Sequence, residues 1–137
     1  MRSLLSQCIK IKRVKAYTAA GTTTITSDSV DMQAEGADGV LFLADFETPA
    51  ADNILKGQES DDDSTFTDVS GGAVVPGASD ELQFVERVSP GKRYQRASLA
   101  RGTSTVLGHV VALLFRLRQQ PADNTVAGTI AGVTVQG

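Results

Sequence analysis

The chain has no tryptophan, 5% aromatic residues, one cysteine and one histidine among its 137 residues. Each scarcity removes a class of function. Bases and sugars are commonly held by stacking on exposed rings, so a chain this poor in rings is ill suited to nucleic acid or carbohydrate. Cys8 alone cannot form an internal disulfide, and with His109 it makes no soft ligand set for zinc or copper. The longest apolar stretch, Val106 to Phe115, falls well short of the roughly 20 residues that cross a bilayer. Leu4-Leu5 is too short for the core of an export signal, and Lys10, Lys12 and Arg13 follow closely. A soluble protein with no membrane partner is the expectation.

The parts of an enzyme are also missing. No acid or nucleophile stands at a recognisable spacing from His109, which reads as a neutral histidine within an apolar strand, so no catalytic residue is assigned. Gly36, Gly39, Gly71, Gly72 and Gly77 never form a phosphate loop followed by a helix; they are turn glycines, and no cofactor is expected. Asp61, Asp62, Asp63 and Asp68 bring together the hard oxygens that suit calcium, but without EF-hand spacing or its closing glutamate. They read as a solvated turn, and no metal site is assigned.

What the chain does contain is a succession of short alternating segments. At this length one domain is expected, with roughly two thirds of the unfolded surface buried. Val40 to Phe46 is a strand apolar on both faces at its middle, as if covered on both sides. Ile54–Glu59 and Thr65–Val69 form a hairpin across Asp61-Asp62-Asp63-Ser64, where aspartates can bond nearby amides. Glu81 to Val88 alternates, with Leu82 and Phe84 on one face and Gln83, Val85 and Arg87 on the other. A Ser89–Lys92 turn leads from it to the strand Arg93–Leu99. Tyr17 to Ser27 is β-branched with a bend at Gly21, Val30–Gln33 is short, and Glu35–Gly39 is a turn. Thr103 to Gln120 fits a helix or a strand. Gly108 would cost about 1 kcal/mol inside a helix, and with β-segments all around, the strand is preferred. Thr125 to Val135 is a last strand or an extension. Strands recurring at about 10-residue intervals point to an all-β, single-domain β-sandwich, jelly-roll-like, over residues 16–137. Residues 1–15, where Ile9 and Ile11 alternate with Lys10 and Lys12, read as an extended N-terminal arm or edge strand.

Charge is segregated along the chain although its net value is only -3. Residues 1–15 hold Arg2, Lys10, Lys12, Arg13 and Lys15 with no acid. From Ala16 to Glu86 acids dominate, with Lys56 the lone base, and from Arg87 onward bases face only Asp123. Either acidic and basic strands pair within the fold, or the two signs form complementary surfaces for self-association or for a charged lattice. With only Tyr17 near the basic segment, docking on protein is favoured over nucleic acid.

The Thr-rich start, Gly39-Val40-Leu41-Phe42, the run Gln58 to Asp68, Lys92-Arg93-Tyr94, Arg101-Gly102-Thr103 and the apolar strand ending at Arg116–Pro121 together resemble auxiliary capsid proteins of tailed bacteriophages. These are also called decoration or cement proteins, and the resemblance spans most of residues 15–125. It implies a β-sandwich, made in the host cytoplasm, that binds the outer surface of the major capsid protein shell in the virion and reinforces it. It transfers no functional residue. The chain itself suggests an arm whose Leu4, Leu5, Ile9, Lys10, Ile11, Lys12 and Arg13 contact the shell or a neighbouring copy, within a dimer, a trimer or the lattice. The rivals are a head-to-tail joining or tail-tube protein and a carbohydrate-binding sandwich.

Overall fold

A computed structural model describes residues 5–119, 122–124, 126 and 128–133. One helical turn, α1 (Leu5–Cys8), precedes β1 (Lys10–Lys15), β2 (Thr18–Gly21), β3 (Ile25–Thr26) and β4 (Val30–Asp31). A second turn, α2 (Met32–Glu35), leads to β5 (Ala37–Asp45), β6 (Asn53–Ser60) and β7 (Thr67–Ala73). The return half comprises β8 (Leu82–Val88), β9 (Tyr94–Arg101), β10 (Thr105–Leu107) and β11 (Val110–Leu117).

These strands pair as one long hairpin folded at the acidic turn. β6 pairs with β7, β5 with β8, β3 and β4 with β9, and β1 with β11, each pair enclosing the one before. Lys10 and its partner Leu114 lie equally far from Asp62, as do Ile25 and Leu99, while Gln58 and Asp68 lie equally far from Asp63. The ribbon is then rolled so that its strands alternate between two sheets, in the orders β1-β11-β5-β8 and β3-β9-β6-β7. That is the strand order of a jelly roll, so the all-β sandwich expected from the sequence is the observed fold. A small β2–β10 ribbon closes one end, aided by the Phe46–Leu107 bridge.

The tip of the ribbon is organised by Asp62, whose Oδ1 accepts hydrogen bonds from the Ser64 and Thr65 amides at 3.0 and 2.9 Å. These bonds hold its carboxyl below the usual range, and Asp63 beside it takes a left-handed φ of 58°. Between the sheets, Val14, Val40, Phe42, Ala44, Val110, Ala112 and Leu114 of the first pack against Val30, Leu55, Ala97 and Leu99 of the second. The layer is not purely apolar. Gln83, 3% exposed, reaches from β8 to the stretch of β6 that β7 leaves uncovered, accepting from Leu55 N at 2.9 Å and donating to Asn53 O at 2.6 Å. Its amide substitutes for a neighbouring strand and ties the sheets together. Buried Arg101 likewise donates to the Ala19, Thr23 and Thr105 carbonyls, fastening the β2–β10 end.

Several expectations are corrected. Lys10–Lys15 is not an arm separate from the domain: it is the edge strand on β11, because Val14 is buried in the core and the backbone completes the sheet. Residues 1–4 of that segment, Leu4 included, lie outside the described residues, as do Gln120, Pro121, Thr125, Ala127 and residues 134–137. Within Thr103–Gln120 the preferred strand is present as two, β10 and β11, parted at Gly108 and His109, where Gly108 N donates to Asp45 O. His109 falls in that break and is exposed, instead of lying within an apolar strand. Val30–Gln33 passes from β4 into α2, and the turn expected over Glu35–Gly39 shrinks to Gly36, whose φ of 63° ends α2. Val126 and Ile130 close only a small turn in the tail.

Asp31 caps α2 through the Gln33 and Ala34 amides and binds the Arg93 guanidinium through both carboxylate oxygens at 2.8 Å. The Arg93 hydrogen bonds are the main reason its pKa falls from 3.8 to about 2. A folded-state pKa below the unfolded one gives stability that is present above about pH 4 and lost as pH falls toward 2. Because Arg93 is exposed, the contribution is expected to be about 1 kcal/mol, and Asp31→Asn should flatten that part of a pH–stability curve followed by chemical denaturation. Gln83→Leu keeps the volume but strands two buried backbone groups, and denaturant titration should show a loss of about 2–3 kcal/mol.

Candidate functional site

The outer face of the first sheet is where inside and outside fail to contrast. In a two-layer antiparallel sandwich the solvent face is normally polar. Here cross-strand registers place Arg13, Val111, Leu43 and Phe84 in one row, Ile11, Leu113, Leu41 and Glu86 in the next, and Phe115, Gly39 and Val88 in a third. Isoleucine, leucine, valine and phenylalanine thus run across the full width of a four-stranded sheet. Over the middle strands these side chains are half-buried by one another, and on β8 they stand in solvent: Leu82 is 65% exposed, Phe84 61% and Val88 47%. Phe115 lies over Gly39, where a Cβ would collide with its ring, so the glycine lets the aromatic lie flat on the sheet. No described element covers the β5 and β8 part of this face. At the β1–β11 margin the tail turn at Thr129 and Ile130 lines a cavity of about 170 Å³ with Ile11, Arg13 and Val111.

The outward position of Leu82 and Phe84 follows from what β8 must supply inside. Val85 enters the core, Gln83 serves β6, and Arg87 reaches Glu59 at 3.3 Å and Gln95 at 3.1 Å. With those three turned inward, strand alternation sends Leu82, Phe84, Glu86 and Val88 outward. Along β1 it sends Ile11 and Arg13 the same way.

Some of the segregated charges pair within the molecule. Arg87–Glu59, Lys92–Asp61 and Arg93–Asp31 each join the basic return half to the acidic outgoing half, and Lys12–Glu35, at 2.6 Å, joins the N-terminal bases to it. Arg13 and Glu86, on opposite margins of the apolar face, are left exposed.

The expected arm residues meet along one margin with different roles. Leu5 is 74% exposed on α1, Lys10 Nζ donates to the Asp123 carbonyl, and Lys12 is held by Glu35. Asn124 bonds the open edge of β1, accepting from Ile11 N at 2.6 Å and donating to Ile9 O at 2.8 Å. Of the described strand residues in that set, Ile11 and Arg13 join the apolar face. Sequence reasoning missed Leu41, Leu43, Leu82, Phe84, Val88, Val111, Leu113 and Phe115 as a site. The signal was the two-sided apolar character of Val40–Phe46, which indicated that both faces of this strand are apolar without saying which of them packs against the second sheet.

Among the described residues no group of three or more histidine, cysteine or acidic side chains is arranged to hold a metal ion, and no helix is long and apolar enough to cross a membrane. Asp61, Asp62 and Asp63 all face solvent at the hairpin tip, where Asp62 is engaged by backbone amides. No family model matches the chain, and no curated protein matches it.

Proposed function

We propose that this chain is a virion structural protein of the decoration or cement type, which seats the outer face of its first sheet on an assembled major capsid protein shell and stabilises that shell. The observation that carries the proposal is the apolar face running from Ile11 to Phe84 across all four strands, whose β5 and β8 part no described element covers. A contiguous apolar surface of this kind marks a protein contact, and it is rigid because it rides on a sheet whose other side is the core. The jelly roll supports the assignment as an architecture shared by capsid and lectin domains. Between those two, aliphatic leucines suit a dry protein interface better than a sugar, whose recognition draws on rings and polar groups.

Association with a repeating shell also explains why no reactive constellation is needed. Each copy contributes one modest contact, and reinforcement accumulates over the lattice. Co-sedimentation with shells assembled from the cognate major capsid protein tests the proposal. The wild-type chain should pellet with shells and raise their disruption temperature. Leu41→Gln combined with Leu113→Gln, neighbours in the middle of the face, should keep the circular dichroism of the fold and weaken pelleting at least tenfold. Undiminished pelleting of that variant removes the face from the mechanism, and failure of the wild type to pellet removes the function.

A further inference from the structure

The edges of the two sheets are not protected alike. Asn124 covers part of the β1 edge with its side-chain amide. β7 is interrupted by a register shift opposite β6 and by Gly71 at a φ of 71°, and β3 and β4 are two residues each. Such bulges, caps and short strands are the usual means by which edges resist pairing with another chain. β8 has none of them. It is seven residues long, carries no lysine or proline, exposes Leu82, Phe84 and Val88, and ends the strand order of its sheet.

The direction of its free backbone groups follows from its ends. Glu81 O accepts from Phe46 N and Ser89 N donates to Asp38 O, each at 2.8 Å, so odd-numbered residues turn their backbone toward β5. By strand alternation the N–H and C=O groups of Leu82, Phe84, Glu86 and Val88 point to the open edge. Beside them lies a cleft of about 410 Å³ between β8 and β7, bordered by Val69, Gly72, Phe84 and Arg87.

We propose that this edge pairs antiparallel with the same edge of a second copy, forming a two-fold dimer through β8. The strand is complementary to itself in one register. Centred on Val85, Leu82 meets Val88 of the other copy and Phe84 meets Glu86, so every outward backbone group from 82 to 88 acquires a partner. No like charges face each other, since Gln83 lies opposite Arg87. Centred on Glu86, the two glutamates would oppose each other, and centred on Phe84, Val88 would lose its partner. A two-fold axis perpendicular to the sheet also leaves both apolar outer faces on the same side, as one surface of double width. The dimer stands whatever that surface binds.

Sedimentation equilibrium of the full chain, without shells, tests the pairing. The wild type should show twice the single-chain mass, and Glu86→Pro should show the single-chain mass while remaining folded. Proline there removes an outward N–H and leaves the β5 ladder intact. Should that variant not fold, Leu82→Lys, which puts a charge on an already exposed position, serves the same purpose. In a Cys8→Ser background, Leu82→Cys with Val88→Cys should give a covalent dimer on mild oxidation, because paired Cα atoms about 5.5 Å apart lie within disulfide reach. A wild type at single-chain mass throughout, a folded edge variant that still dimerises, or absence of the covalent dimer overturns the proposal. Shell-binding variants at Leu41 and Leu113 should leave the mass unchanged, which separates this result from the choice of partner.

Discussion

The nested antiparallel register, centred on the Asp61–Ser64 turn, is the constraint on which the rest of the molecule depends. Because side chains alternate across a strand, a slip of one residue would exchange the core and solvent faces of every strand in the ribbon. The turn is built to resist that. Asp62 accepts from two amides and from the Ser60 hydroxyl, and Lys92 approaches Asp61 from the return half. With the centre held, Val40, Phe42 and Ala44 meet the core, and Leu41 and Leu43 have nowhere to go but out.

Rolling a single ribbon into two sheets leaves places where a strand lacks a neighbour, and two amide side chains fill them. Gln83 bonds Leu55 N and Asn53 O, and Asn124 bonds Ile11 N and Ile9 O; in each case one carboxamide engages backbone groups two residues apart, as a strand would. Gln83 thereby explains a feature that hydrophobicity alone would reverse. A polar residue lies inside β8 while leucine and phenylalanine lie outside, because an unpaired buried amide costs more than an exposed ring. The apolar outer face is thus a by-product of what the interior requires, and it is also the surface best suited to a partner.

The charge blocks follow from the same geometry. A ribbon folded at its midpoint brings an acidic outgoing half against a basic return half, so the segregation seen along the chain becomes pairing in space. The exposed charges of Arg13 and Glu86 then frame the apolar face. Internal pairing thus accounts for part of the segregation, and other charges stay on the surface.

Much of this was legible residue by residue. Alternation in Glu81–Val88, the aspartate-rich turn and the doubled apolar character of Val40–Phe46 depend on local spacing and determine strand identity, the hairpin tip and the all-β class. The tertiary structure alone decided which face of β8 turns inward, that Lys10–Lys15 docks on β11 instead of reaching away, and that eight apolar side chains from three strands share one surface with Ile11 and Arg13. The reason is physical. Period-two alternation says that two faces differ but carries no label for the core side, and that label comes from hydrogen-bond partners and packing neighbours up to a hundred or so residues away in the chain.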